Sequence, residues 1–278
     1  MHVGHKYAIH TGEFWRLDKK LKPLKRLWES IPDKLHNKTT DVFFINGEHV
    51  DGDNKHELGH QVWSTDINDQ FHDARTLLKS FKIKGIGMTR GSNYHTTKDN
   101  TSLEEMFANS LSGIAPVLTY NPFGDDCVTT FYTQERDQVA HAMKTRVDDL
   151  AVLDINGKIF HLMHHIGGSK WFSYLPTALG REMAQMVFFD GKLWTHENAP
   201  SIIVRSHTHR FVHIEYSSQH GCVTPSWKVM DRFGSKNGQD AGLIGMVEFV
   251  VEPNGEILFK KFILDNKDYP KLNIVKIQ

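Results

Sequence analysis

Short apolar runs that stop abruptly at histidine, acid or glycine recur along this chain, and that recurrence limits its fold more than any other feature. Ser201-Ile202-Ile203-Val204 gives way to Arg205-Ser206-His207-Thr208-His209-Arg210. Asp41 to Asn46 empties into Gly47-Glu48-His49-Val50-Asp51-Gly52-Asp53, and Ile83 to Met88 into Thr89-Arg90-Gly91-Ser92-Asn93-Tyr94-His95. Lys158 to Met163 delivers His164-His165-Ile166-Gly167-Gly168-Ser169. Runs of this length, rich in Val, Ile and Phe, read as buried strands ending in loops. Open α/β sheets put their chemistry beyond such strand ends. Each cluster alone has an ordinary explanation, a polar turn or incidental surface histidines; their repetition after apolar runs does not.

Helical patterns lie between the strands. Phe14, Leu17, Leu21, Leu24, Leu27 and Trp28 recur at helical spacing with lysines on a solvated face, and Pro23 predicts a kink or two short helices. Asp66 to Phe81 and Thr177 to Phe188 read as amphipathic helices, and Ser102 followed by Glu105 as a capped helix start. Asn156-Gly157 predicts a hairpin between Asp149–Ile155 and Lys158–Met163, and Pro253-Asn254-Gly255 a second between Leu243–Glu252 and Glu256–Leu264. Val212 to Tyr216 alternates like a strand. Ala115 to Arg136 is broken by Pro116, Pro122 and Gly124, with a candidate strand at Val128–Tyr132. Without repeats, low-complexity tracts or a Ser/Gly linker, residues 1–278 read as one α/β domain.

Composition narrows the function. Lys plus Arg equals Asp plus Glu at 33 each, so no general basic field draws in nucleic acid or a membrane surface. Two cysteines, Cys127 and Cys222, suggest neither a disulfide framework nor a thiolate metal site. No run reaches the roughly 18 apolar residues of a membrane span and no signal peptide opens the chain, which predicts a cytoplasmic protein. Histidine, at 18 residues, is about three times as frequent as in an ordinary soluble chain. Imidazole suits transition metals and titrates near neutrality.

In chain order the polar clusters are His2, Glu48/Asp51, Asn93/His95, His164/His165 and His207/His209. This order resembles the calcineurin-like metallophosphoesterases, whose motifs run Asp-x-His, Gly-Asp-x-x-Asp-Gly, Gly-Asn-His, a lone His and Gly-His-x-His. It looks closest to divergent members in phage and prophage genomes. The resemblance covers nearly the whole chain, and the last two motifs are its specific part. It implies a four-layer α/β/β/α sandwich with two divalent ions at the strand ends, in the host cytoplasm if phage-encoded. Carried over by position, His2 and His209 bind one metal, His164 and His207 the other, and Glu48 bridges them. Asn93, or the Ser92 side chain, fills the asparagine position; His165 is the alternative to His164. His95 meets the substrate, stabilising developing charge or protonating the leaving oxygen. Arg90 and Arg205 are candidates for phosphate binding, or peripheral charges.

Three departures accompany the resemblance. The first Asp of the family pattern would fall immediately before Met1, and the core strand that carries it has no counterpart; the expectation is a protein that begins upstream, which a longer reading frame tests. Glu48 stands where Asp is usual, with Asp51 as the fallback bridge. Gly91-Ser92-Asn93-Tyr94-His95 is two residues longer than Gly-Asn-His. The implied activity is hydrolysis of a phosphodiester or phosphomonoester, including nucleic acid, with Mn, Fe, Zn, Ni or Co as the ions. The competing reading is a degenerate relative with an incomplete metal site and a binding or structural role. A zinc amidase or β-lactamase-like enzyme lacks its His-x-His-x-Asp-His signature here. Trp171, Trp194 and Trp227 are core residues or a substrate wall, and the sequence points to no protein partner.

Overall fold

A computed structural model of the chain describes residues 1–53, 59–92, 102–111, 113–118, 147–167, 174–188, 199–216, 219–229 and 242–269. Its elements run α1 (Lys22–Ser30), β1 (Thr40–Asn46), α2 (Ile67–Leu78), β2 (Ile83–Thr89), α3 (Leu103–Ser110), β3 (Leu150–Ile155), β4 (Lys158–Met163), α4 (Leu175–Phe188), β5 (Ile202–Arg205), β6 (Val212–Tyr216), β7 (Gln219–Val223), β8 (Gly245–Val251) and β9 (Ile257–Ile263). β1 and β2 pair in parallel. A second sheet has the order β3-β4-β5-β7-β6, with β4, β5 and β7 parallel and the two outer strands antiparallel to their neighbours. β8 and β9 form a hairpin.

Alternation along the strands sorts the side chains into layers. Phe43 and Ile45 of β1 join Trp28, Phe71, Leu78 and Phe107 from α1, α2 and α3. Val42 and Phe44 turn the other way, towards Leu153, Phe160, Leu162 and Val204. In β5, Ile202 and Val204 face this inter-sheet space, while Ile203 packs on Leu179 and Met183 of α4. The chain is therefore an α/β protein with helices outside two β layers, as expected. A cavity of about 560 Å³ lies between those layers. Every residue of β1 and β8 lines it, so each strand turns an edge to it, and the apolar core falls into separate clusters around it.

The sequence-based boundaries hold for most elements, with two informative differences. The helical spacing from Phe14 does not become helix until Lys22: Pro23 begins α1, where its missing N–H costs nothing, and Phe14 and Trp15 lie exposed. β7 was not expected at all. Its sequence, Gln-His-Gly-Cys-Val, has no apolar run, yet all five residues are buried. Gly221 explains why: a Cβ there would fall 2.3 Å from Met183 Sδ, so the glycine lets α4 press on the sheet. The Asn156-Gly157 hairpin forms as predicted, with φ of 50° and 76° at the turn. Ser102 caps α3 by accepting the Glu105 N–H. Trp227 is a core residue, 4.9 Å edge-on to Trp28. Cys222 is buried and free. Trp171, Trp194, Cys127 and the Val128–Tyr132 segment lie outside the described residues. Among the described residues no helix is long and apolar enough to cross a membrane.

Candidate metal centre

The carboxyl ends of β1, β2, β4 and β5 meet at one rim, and Asn46, the last residue of β1, ties them together. Its Nδ2 donates to the Met163 carbonyl and to Ser206 Oγ, both at 2.9 Å, and its Oδ1 accepts from Thr89 Oγ1 at 2.6 Å. The N-terminal segment reaches the same rim through the loop after β1: His2 N donates to Glu48 O at 2.9 Å and Asp51 N to Val3 O at 2.8 Å. Four loops and the chain start therefore converge on one volume.

Glu48 sits at its centre. Its Oε2 lies 3.1 Å from His2 Nε2 and 3.8 Å from His209 Nε2. Its Oε1 lies 3.1 Å from His164 Nε2 and 3.8 Å from His207 Nδ1. Two potential metal-binding triads, His2-Glu48-His209 and Glu48-His164-His207, thus share one carboxylate, with the ligand atoms of each within 4.8 Å of one another. Ser92 Oγ donates to Glu48 Oε1 at 2.5 Å.

Neighbouring groups fix the imidazole tautomers. His2 Nδ1 lies 3.1 Å from Asp51 Oδ1, and His164 Nδ1 lies 2.7 Å from the Asn46 carbonyl. Both acceptors require N–H on Nδ1, which leaves the Nε2 lone pairs aimed inward, the arrangement that outer partners impose on metal-binding histidines. His2 Nε2 is then 2.9 Å from His209 Nε2, and His164 Nε2 is 3.3 Å from His207 Nδ1. Two nitrogen ligands on one tetrahedral zinc sit about 3.3 Å apart, given bonds of about 2.0 Å. The donor set fits a borderline-soft transition metal of the kind expected.

The charge balance points the same way. Glu48, Asp51 and Glu104 are all buried, at 4%, 0% and 4% exposure. Burial drives the His2 pKa down to about 3 and that of His209 in the same direction, so neither ring readily brings a positive charge. His207 is raised instead, chiefly by its hydrogen bond to Glu48. Desolvation also lowers the Met1 amine to about 5. Buried carboxylates facing the rings of His2 and His209, which burial keeps from charging, are costly unless a cation joins them. Backbone strain is concentrated at the same place: of the six non-glycine residues with positive φ among those described, His2 (59°), Glu48 (49°), His207 (66°) and His209 (57°) are four.

Five of the residues singled out in the sequence, His2, Glu48, His164, His207 and His209, are brought together. Asn93 and His95 lie outside the described residues. Of the adjacent pair, His164 faces Glu48 and is 2% exposed, whereas His165 is exposed. Asp51 stands behind His2 rather than between the triads. Arg90 stays at the rim, ion-paired to Glu105. Arg205 is not brought to the site. It is 1% exposed and turned to α4, donating from Nε to Glu182 Oε2 at 2.7 Å and from Nη1 to the carbonyls of His161 and Val204. Its position as the last residue of β5, on the α4 face with Ile203, buries a charge that the loop-like reading placed outside. Asn46 and Glu104 were missed; the only sequence signal was Asn46's place as the last residue before Gly47-Glu48.

No family model and no curated protein matches the chain. Its fold is similar to solved structures at low identity. Vps29 of Entamoeba histolytica complexed with zinc is 9% identical, with a TM-score of 0.38 over 85% of this chain and 89% of that one. An archaeal phosphodiesterase is 11% identical, with a TM-score of 0.41 over 87% and 93%. Chaetomium thermophilum Vps29 is 13% identical, with a TM-score of 0.36 over 80% and 95%.

Proposed function

We propose that this chain hydrolyses a phosphate ester, a phosphodiester or phosphomonoester that includes nucleic acid among its candidates, with two divalent ions drawn from Mn, Fe, Zn, Ni and Co. The observation that carries this reading is the shared carboxylate: each oxygen of Glu48 faces its own pair of histidine nitrogens. When bound, such an ion pair supplies Lewis-acid activation of water and of the phosphoryl group for in-line attack. His2 and His209 hold one ion, His164 and His207 the other, with Asn93 or Ser92 completing a set. Asp51 and the Asn46 carbonyl keep the His2 and His164 rings in the tautomer that leaves Nε2 free to coordinate. His95 donates the proton that the leaving oxygen needs, a task for a group titrating near neutrality. Arg90, ion-paired to Glu105 beside the site, is the candidate to bind a phosphate oxygen.

Elemental analysis after Mn²⁺ loading and desalting, paired with hydrolysis of bis(p-nitrophenyl) phosphate and p-nitrophenyl phosphate, tests the reading. Near two ions per chain with turnover supports it. One ion or none overturns the dinuclear assignment. His95→Ala is expected to abolish turnover and leave the metal content unchanged; full activity in that variant removes His95 from the mechanism.

A further inference from the structure

Glu48 addresses both histidine pairs from a main chain in the left-handed conformation, with φ of 49°, which disfavours residues other than glycine. Something must hold it there. The Glu48 N–H donates to Glu104 Oε1 at 3.1 Å in a buried contact that joins the β1 loop to the first turn of α3. Glu104 is itself fixed. Ser102 Oγ donates to its Oε2 at 3.1 Å, the α3 N-terminus favours its negative charge, and it is 4% exposed. Gly91 makes room for the contact, since a Cβ there would lie 2.8 Å from Glu104 Oε1, from Glu48 Cγ and from Glu48 N.

We infer that Glu104 is a positioning residue for the metal centre: as the acceptor of the Glu48 N–H it sets the main-chain conformation that aims one carboxylate oxygen at each histidine pair. The inference rests on the dinuclear reading above. It predicts that loss of the acceptor weakens both metal sites together, because the lever acts on the ligand they share. A residue that only packed α3 against the loop would instead change stability and leave the metal affinities in place.

The test uses the full chain, stripped of metal, with Mn²⁺ titrated calorimetrically and exchange of the Glu48 amide hydrogen followed in the metal-free state. Glu104→Met, which keeps the length and removes the acceptor, is expected to weaken both sites about 10–100-fold, as loss of an outer partner does, and to speed exchange of that amide. Glu104→Gln keeps an oxygen acceptor and is expected to bind within about fivefold of the parent, since a neutral acceptor is only modestly weaker than a charged one. Glu104→Asp keeps the charge but draws the acceptor back by one methylene, and reads the same lever if Glu104→Met does not fold. Unchanged affinities in Glu104→Met, weakening of one site only, or a Glu104→Gln as weak as Glu104→Met each overturn the inference. A parent chain that binds no metal while its Glu48 amide stays protected fails the dinuclear reading, and the inference with it. Metal binding by the parent alongside unaltered binding in the variants fails the inference alone.

Discussion

The choice between His164 and His165 shows what a single residue can and cannot disclose. The two histidines follow one another beyond β4 with their rings 5.0 Å apart, and no property of either residue type identifies the one that faces Glu48. Packing decides it: the Asn46 carbonyl meets His164 Nδ1 and Glu48 meets Nε2, while His165 is left exposed. His164→Ala is therefore expected to lose metal from the Glu48-His164-His207 triad, and His165→Ala to keep its full complement, as elemental analysis will read directly. Two histidines away from the centre make a pH prediction. Burial lowers His161 to about 3, with Arg205 adding to the effect, and lowers His10 to about 4. Both stay neutral in the folded chain while the unfolded chain protonates near 6.5. Unfolding therefore takes up protons between about pH 6.5 and each folded value. Stability is flat above that window and falls as the pH drops through it, by at most about 1.4 kcal/mol per pH unit for each group. His161→Gln is expected to flatten the slope in urea unfolding between pH 6 and 4; an unchanged slope removes His161 as a source.

At the scale of elements, the sequence disclosed what periodicity and turn chemistry encode and hid what depends on contacts between distant strands. The four strand ends, the Asn156-Gly157 hairpin and the Ser102 cap were readable because each is local. β7 was hidden because only Cys222 and Val223 in it are apolar, and the burial of the strand depends on Gly221 yielding space to α4. Asn46 was hidden for a related reason. Nothing local marks an asparagine that bonds to β2, β4 and β5 at once. Asn46→Ala leaves the Met163 carbonyl, Thr89 and Ser206 without that partner, and is expected to cost about 2 kcal/mol in urea unfolding while loosening the rim. Arg205 belongs here too. Its pairing with Glu182 joins β5 to α4, so it supports the strand that presents His207 and His209. Removing Glu182 leaves a fully buried guanidinium without its carboxylate, whereas removing Arg205 leaves a carboxylate that is 28% exposed and that water can reach. Glu182→Ala should consequently destabilise the chain more than Arg205→Met. The reverse order in denaturant midpoints would falsify the assignment of Arg205 as a buried strap.

For the whole molecule, the site and the fold share one energetic problem. The cavity between the β layers divides the apolar core, and the rim that joins those layers also gathers buried carboxylates and strained backbone. Divalent ions at Glu48 would relieve charge where the two layers meet, so metal binding should act as a stabiliser of the entire chain. A ligand at a hundred times its Kd adds about 2.7 kcal/mol for each site. Two sites would then raise the melting temperature by roughly 10–20 °C, at about 2–4 °C per kcal/mol for a chain of this size class. Chelator should reverse the shift. Glu48→Gln separates this account from a general effect of divalent salt. Without metal, removing the buried charge is expected to leave the variant at least as stable as the parent. With metal, the variant should show little of the parent's shift, because the ligand common to both triads is gone. Equal metal-induced shifts in the parent and Glu48→Gln would place the stabilising ions elsewhere on the molecule.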